Sequence, residues 1–547
     1  MREGLAAETA ATGEERAAGC FVCRLDARPC AVSSLEGALV RATERLTGHD
    51  GPAVRLRLDD GAEVVIALGD HTRPTVRALV QAGERAAGLR VRVYHLQRMG
   101  DERYLAGPVS PLVLEPDLLL NITDINNAEY CARQYPLRRM VPSPPTMATL
   151  KGSITHQAFK EMLKAGEPDV AGPLDQAMGA QAADIALRQL DPDALRADAL
   201  PHLDALAQWY GGQRAGLWAA PPDIRAETLL LAPEVGLKGR LDFLAHGPGG
   251  DALLELKTGQ VRAQLPKREH RWQVYGYQTL LAVRQPADRR KAAATLLYSG
   301  TPGQAEGHTI PFTARDLLRV LDLRNQLALI HATGAVPAPP SAAKCDRCML
   351  RMVCQRVSGL LGWEAPPDDT PAVPVDPADA AWFSQWTELL RLEARAAEEE
   401  PRALWRRTPE ERRAAGMALG GLVQVGEPKL TESGEWEYTF RCENTSELRE
   451  GDAILLSDGD PVSGEIVTGS ILRLDERGVI VWTPERIRRP ALIDRYGSDI
   501  THDRTTRNLW RWLDVDPRMK ALVAGERAPT FDPITPEDDQ PGGLNEE

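Results

Sequence analysis

The chain is poor in the features that membrane, secreted and motor proteins need. No apolar run reaches the roughly 18 residues of a membrane-spanning helix, although hydrophobic residues make up 43% of the 547. The first residues are rich in Ala and Glu, so no secretory leader is visible. The expectation is a cytoplasmic protein with no membrane partner. Only eight cysteines occur, and in a reducing compartment they do not form a disulfide framework. No G-x-x-x-x-G-K-[ST] pattern is present, which excludes P-loop ATP binding by these residues. Positive charge is not in excess either. The formal net charge is −13, which argues against a generally basic surface but leaves room for a local basic channel.

What the chain does contain is a pair of carboxylates and a lysine around one tight turn. Residues 235–244 alternate, with Leu237, Gly239, Leu241 and Phe243 on one side and Lys238, Arg240 and Asp242 on the other. Residues 253–257 alternate again, so Glu255 and Lys257 share a face opposite Leu254 and Leu256. Gly247-Pro248-Gly249-Gly250 reads as the turn between them. Asp242 and Glu255 stand equidistant from that turn, so an antiparallel hairpin sets them opposite one another. Two such carboxylates repel unless a cation lies between them, and Mg²⁺ takes oxygen ligands of this kind. The Lys257 ammonium is placed to orient an attacking water or steady a phosphoryl oxygen. The plainer reading is an exposed acidic pair on a surface hairpin.

Two further features add to the first reading. Residues 272–283 read as a helix on which Gln273 and Tyr277 lie one turn apart, on a face shared with Leu280 and Leu281. Upstream, Gly152-Ser153 reads as a helix cap followed by His156, Phe159 and Leu163. A histidine on such an apolar face is more often a core residue; beside a carboxylate pair it becomes a candidate metal ligand.

Three segments carry a resemblance: Gly236-Leu237-Lys238-Gly239-Arg240-Leu241-Asp242, then Leu254-Glu255-Leu256-Lys257-Thr258-Gly259, then His270-Arg271-Trp272-Gln273-Val274-Tyr275-Gly276-Tyr277. They resemble the motifs of restriction-endonuclease-like, PD-(D/E)XK nucleases. They are most similar to the branch shared by RecB nuclease domains, CRISPR spacer-acquisition exonucleases and the DNA replication ATP-dependent nuclease/helicase family, which trims DNA flaps. The resemblance implies that Asp242, Glu255 and His156 ligate Mg²⁺ or Mn²⁺ and that Lys257 is the catalytic lysine. It also implies that Gln273 and Tyr277 brace that lysine and the DNA.

The cysteines form a second pattern. Cys345-x2-Cys348-x5-Cys354 has ligand spacing, and Cys131 stands before the nuclease motifs as these three stand after them. On residue types alone, tetrahedral zinc and an iron–sulfur cluster both fit. In the nuclease families just named, one cysteine before the fold and three after it hold a [4Fe–4S] cluster, and the resemblance implies the same here. Cys20-x2-Cys23-x6-Cys30 also has metal-like spacing, with His49 as a conceivable fourth ligand, but Cys20–Leu25 reads as a strand and plain thiols are expected. Cys442 is expected in a core.

Along the chain, residues 1–17 read as disordered and 18–114 as short strands with a helix near 75–87, an OB-like β-barrel suited to single-stranded DNA. No row of stacking aromatics accompanies it. The nuclease domain is expected over 115–361. A Pro/Asp-rich linker (362–379) follows, then a helical stalk (380–420), a small β-barrel (421–490) and a helical segment with a tail (491–547). The fold class expected is multidomain α/β. Basic clusters flank the hairpin at Arg262, Lys267, Arg268 and Arg271, and at Arg289, Arg290 and Lys291. Leu544-Asn545-Glu546-Glu547 resembles the start of the Q motif of superfamily 1 helicases, so the resemblance extends to a nuclease–helicase whose motor is a partner in cis or in trans. The expected activity is metal-dependent cleavage of single-stranded or flapped DNA, in repair, replication or defence. The alternatives are a CRISPR-adaptation exonuclease and a catalytically silent DNA-binding scaffold.

Overall fold

The structure, a computed structural model, describes residues 21–26, 30–141, 146–213, 223–247, 250–261, 265–284, 293–301, 303–367, 376–431, 434–462, 464–497 and 500–530. The expectations for residues 1–17, Cys20, Arg262, Arg289, Arg290, Lys291 and Leu544-Asn545-Glu546-Glu547 lie outside the described residues, as does the middle of the 362–379 linker.

At the N-terminal end, α1 (Phe21–Asp26) replaces the strand expected over Cys20–Leu25. Neighbouring strand residues point to opposite faces, whereas Phe21 and Val22 are both buried, Phe21 edge-on against Tyr94 at 5.0 Å. Strands β1 (Val32–Thr43), β2 (Ala53–Arg57), β3 (Glu63–Ala67), β4 (Arg90–Arg98), β5 (Arg103–Ala106) and β6 (Leu112–Leu114) form one sheet in the order β1-β2-β3-β5-β4-β6. A further pairing of β1 with β4 closes β1, β2, β3, β5 and β4 into a ring, with β6 paired to β4 alone. Between β3 and β4, α2 (Arg73–Ala82) opens on a proline and buries Val76 and Leu79.

The central sheet runs β12-β11-β10-β9-β7, with β8 also paired to β9. Its strands are β7 (Leu120–Asn121), β8 (Asp223–Ala232), β9 (Leu237–Gly247), β10 (Gly250–Lys257), β11 (Ala293–Thr301) and β12 (Gln304–Thr309). Helices α3 (Ile122–Tyr130), α4 (Gln134–Met140), α5 (Met147–Ala165), α6 (Ala171–Ala180), α7 (Ala182–Leu187) and α8 (Pro192–Gln213) precede β8. Then α9 (Arg268–Arg284) crosses between the parallel strands β10 and β11, and α10 (Ala314–Thr333) follows β12. The alternation of β10 explains the layering. Leu254 and Leu256 pack with Ile154, Phe159 and Leu203 of α5 and α8. Leu253 joins Val274 and Leu280 of α9 and Val320 of α10 on the other face. Helix α5 begins before the expected Gly152-Ser153 cap. Thr146 Oγ1 accepts from Thr149 N at 3.2 Å and starts the helix, leaving Ser153 to donate to Thr149 O inside it.

The barrel and this domain share one hydrophobic core. Arg324 of α10, fully buried, marks the seam. Its guanidinium donates to the carbonyls of Gly236, Leu114, Glu115 and Leu118. Gly236, at φ +62, leaves room for it: a Cβ there would meet Arg324 Nη2 at 2.1 Å. Burial pulls the Arg324 pKa down to about 10.

Helices α11 (Ala342–Asp346) and α12 (Arg351–Leu361) carry the late cysteines, and α13 (Pro377–Ala397), α14 (Glu399–Arg406) and α15 (Pro409–Ala414) follow. The last sheet has eight strands and reaches beyond the expected 421–490, because Ala418–Gly420 pairs with Leu492–Arg495. A buried ion pair, Arg412 Nε to Asp494 Oδ1 at 2.7 Å, joins α15 to it. Cys442 lies in its core with Tyr438, Phe440 and Val481. Helices α16 (Ile500–Trp512) and α17 (Pro517–Val523) close the described chain, where Trp512 stacks on Trp382 of α13 at 5.4 Å. Among the described residues, no helix is long and apolar enough to cross a membrane.

Candidate active site

The β9–β10 hairpin pairs Leu253 with Leu244 and Leu254 with Phe243. The same register carried one step further sets Asp242 beside Glu255. The Leu256 N–H donates to Asp242 Oδ2 at 2.9 Å and fixes the orientation of that carboxylate. From α5, His156 brings Nδ1 to 3.5 Å from the same oxygen.

A third carboxylate, unforeseen in the sequence, completes the group. One oxygen each of Glu227 and Asp242 and a ring nitrogen of His156 all lie within 4.8 Å of one another. Strand β8 pairs Ala226 with Phe243 and Thr228 with Leu241, yet the ladder skips the Glu227–Asp242 step between them. Glu227 sits there at φ +50, a left-handed conformation that costs a non-glycine residue about 1–3 kcal/mol. The local twist releases Glu227 from ladder pairing and gives its carboxylate to the site.

Glu255 is fully buried. Its Oε1 accepts from Lys257 Nζ at 2.6 Å, while its Oε2 has no hydrogen-bond partner. Burial, reinforced by the Asp242 charge, pushes the Glu255 pKa up to about 7. Burial raises Asp242 to about 6 against the pull of Lys257, and it raises Glu227 above the usual carboxylate range. Burial and then Lys257 lower His156, which is therefore neutral near pH 7 with a ring lone pair to offer.

Lys257 is held from two sides. Nζ also donates to Gln273 Oε1 at 2.9 Å, and Gln273 Nε2 donates to Tyr277 Oη at 3.1 Å. Burial works against the ammonium, but Glu255 and Asp242 carry its pKa above the ordinary lysine value. Burial raises the Tyr277 phenol, which keeps its proton. Gly276 lets α9 approach α3 closely, since a Cβ there would meet Ile122 Cγ2 at 2.6 Å. On β11, Tyr298 is the register partner of Lys257 and holds His270 Nδ1 at 2.8 Å. Burial and Lys257 together push His270 down to about 4.

The donor set fits a hard divalent cation. Glu227 and Asp242 offer oxygens and His156 one imidazole, with the buried Glu255 carboxylate beside them. A buried carboxylate oxygen without a partner costs about 1–3 kcal/mol or more, and a cation beside Asp242 is the group that would satisfy Glu255 Oε2. A groove of about 1020 Å³ has Glu227 in its wall, with Lys164, Arg225, Arg240, Arg284, Arg486 and Arg488 and with Trp436 of the C-terminal sheet. Lys160, one turn beyond His156, binds Glu485 at 2.6 Å across to that sheet.

The four cysteines Cys131, Cys345, Cys348 and Cys354 line a second, small cavity. Gln134 Nε2 points at Cys348 Sγ (3.9 Å), and the buried Arg133 Nη1 points at Cys354 Sγ (3.8 Å). Burial pushes the thiols of Cys131 and Cys345 up, and neighbouring Cys348 and Cys354 add to it. Cationic and amide N–H groups aimed at sulfur are what thiolates bound to a metal centre require.

Residues 120–355 match the family described as the PD-(D/E)XK nuclease superfamily. The chain therefore carries a domain of that superfamily, which implies a divalent-metal-dependent nuclease. The match begins at β7 and ends one residue after Cys354, so it spans both clusters. A search of curated proteins gives no match. Among solved structures, one titled "Crystal structure of SSO0001" is similar at 14% identity and a TM-score of 0.21, over 43% of this chain and 86% of that one, a likeness too weak to bear on fold or function.

Proposed function

We propose that the chain is a Mg²⁺- or Mn²⁺-dependent deoxyribonuclease of the RecB-like, iron–sulfur branch, cutting single-stranded DNA or single-stranded flaps. The observation that carries this reading is the convergence of Glu227, Asp242 and His156 beside Glu255 and Lys257, with one oxygen of Glu255 buried and without a partner. Glu227, Asp242, Glu255 and His156 would hold the cation. When bound, a divalent cation neutralises the phosphate and eases ionisation of the attacking water.

The protein side chains do the rest. The Leu256 N–H holds Asp242 in one orientation. Gln273, itself braced by Tyr277, holds the Lys257 ammonium, whose third proton is left for the attacking water or a phosphoryl oxygen. The groove wall carries Lys164, Arg225, Arg240, Arg284, Arg486 and Arg488 among the acidic Glu227, Asp251, Glu465 and Glu485, a local cation content that the net charge of −13 does not reveal. The closed N-terminal sheet order, with a helix between β3 and β4, supports an OB-type accessory barrel. Cys131, Cys345, Cys348 and Cys354 hold a [4Fe–4S] cluster in this reading, with Arg133 and Gln134 donating to its sulfurs. The stalk and second barrel fit a superfamily 1 helicase motor as partner, in cis or in trans.

The deciding experiment incubates the purified chain with end-labelled single-stranded, flapped and blunt DNA, with Mg²⁺, Mn²⁺ or EDTA. Metal-dependent cleavage of the single-stranded and flapped substrates, lost in Lys257→Ala, is expected. Cleavage that persists in EDTA or in that variant overturns the proposal.

A further inference from the structure

The N-terminal barrel carries a second cluster of soft ligands. Although Cys20–Leu25 reads as a strand of plain thiols in the sequence, the helix α1 brings Cys23 Sγ to 3.4 Å from Cys30 Sγ and to 3.4 Å from Nδ1 of His95 on β4. The three ligand atoms all lie within 4.8 Å of one another. His49, the histidine offered by the sequence, is elsewhere, with Nε2 against Leu68 O at 3.1 Å. We infer that Cys23, Cys30 and His95 form a structural zinc site that ties α1 to the barrel.

The distances have the right size. With Zn–S near 2.3 Å and Zn–N near 2.0–2.1 Å, the edges of a tetrahedral site are about 3.8 Å for S···S and about 3.6 Å for S···N. Two thiolates and an imidazole are borderline-soft donors, which suit zinc and not the hard cation of the carboxylate site. The placement of His95 is built. Its backbone is at φ +59, which breaks the alternation of β4 so that Tyr94, His95 and Leu96 are all buried. Ser110 Oγ donates to His95 O at 2.7 Å and accepts from Gly107 N at 2.7 Å, which holds that departure in place. Zinc binding releases the two thiol protons to solvent, and the neutral imidazole binds through Nδ1. Cys23, Cys30 and His95 fill three corners of the tetrahedron.

The role is mechanical. Helix α1 is two turns at most and cannot hold itself together; a metal bond to β4 fixes it across the closed sheet. This inference stands apart from the nuclease reading and has its own readout. The full chain, purified under nitrogen, is assayed for zinc and iron by mass spectrometry. About one zinc per chain is expected to disappear in the Cys23→Ser/His95→Asn double variant, with iron content and DNA cleavage unchanged. His95→Cys, which keeps a ligand, retains the zinc. Should the double variant fold poorly, the wild type decides. Native mass spectra show one zinc that a chelator removes, removal opens residues 21–30 to protease, and Co²⁺ alone restores protection with a thiolate charge-transfer band. Equal zinc in wild type and double variant, or a Cys23–Cys30 disulfide in the protein as purified, overturns the site.

Discussion

The carboxylate site and the four-cysteine site of the nuclease domain are assembled in opposite ways. Glu227, Asp242 and Glu255 come from three neighbouring strands joined by short turns, so the hairpin registers bring them together, with a local twist at Glu227. Cys131 sits just after α3, whereas Cys345, Cys348 and Cys354 follow α10, so they meet only when the domain is folded. A site of the first kind inherits its geometry from one ladder and should tolerate changes elsewhere. A site of the second kind closes a long loop and should act on stability more than on chemistry.

The sharpest test of that contrast removes one side chain from each. Lys257→Ala or Asp242→Ala should lower the single-turnover rate of DNA cleavage on the order of 10²-fold or more, with DNA affinity and melting temperature little changed. Cys345→Ser should do the reverse: loss of iron and brown colour and a lower melting temperature, read by absorbance and calorimetry. If the cysteine variant melts like the wild type, the contrast is wrong. Glu227→Gln is expected to raise the Mg²⁺ concentration needed for half-maximal cleavage by about 10–100-fold, seen by metal titration.

Acidity gives a fourth test. Unfolded carboxyls titrate near pH 4, whereas folded Asp242 and Glu255 are raised to about 6 and about 7. The folded state keeps protons that the unfolded chain has released, so metal-free stability is fullest below about pH 4 and declines as pH rises to about 7. A divalent ion reverses this by favouring both charges. Melting curves in EDTA and in Mg²⁺ should therefore diverge more at pH 8 than at pH 5, and parallel curves would break the link between burial and metal binding. The smallest effect expected is that of Gly276→Ala, whose new Cβ would crowd Ile122 and cost about 1–3 kcal/mol, measured by denaturant melts.

How far each feature is legible in the sequence follows from the same contrast. The Asp242–Glu255 pairing can be read because the two residues flank one glycine-rich turn symmetrically. Glu227 and Asp242 flank Pro233–Gly236 just as symmetrically, so the same reasoning applied to the preceding hairpin finds Glu227; its left-handed backbone leaves no sequence signature. Gln273 and Tyr277 are legible from helical spacing. Tyr298 and His270 are not, because a parallel crossover through α9 sets that register. The Cys23–His95 contact is hidden for a related reason. It depends on α1 being helical, on a backbone reversal at His95, and on a partner far along the chain. Gly152-Ser153 misleads because Thr146 is an equally good cap six residues earlier.

The buried Arg324 has a consequence for dissection. Severing the polypeptide near residue 115 to obtain a free-standing N-terminal fragment would strip two of the four carbonyls from a guanidinium that has no water to turn to. The cut would also split the shared interior. Barrel and nuclease domain are thus welded along this seam, and a ligand held by one would lie at a fixed distance from the other.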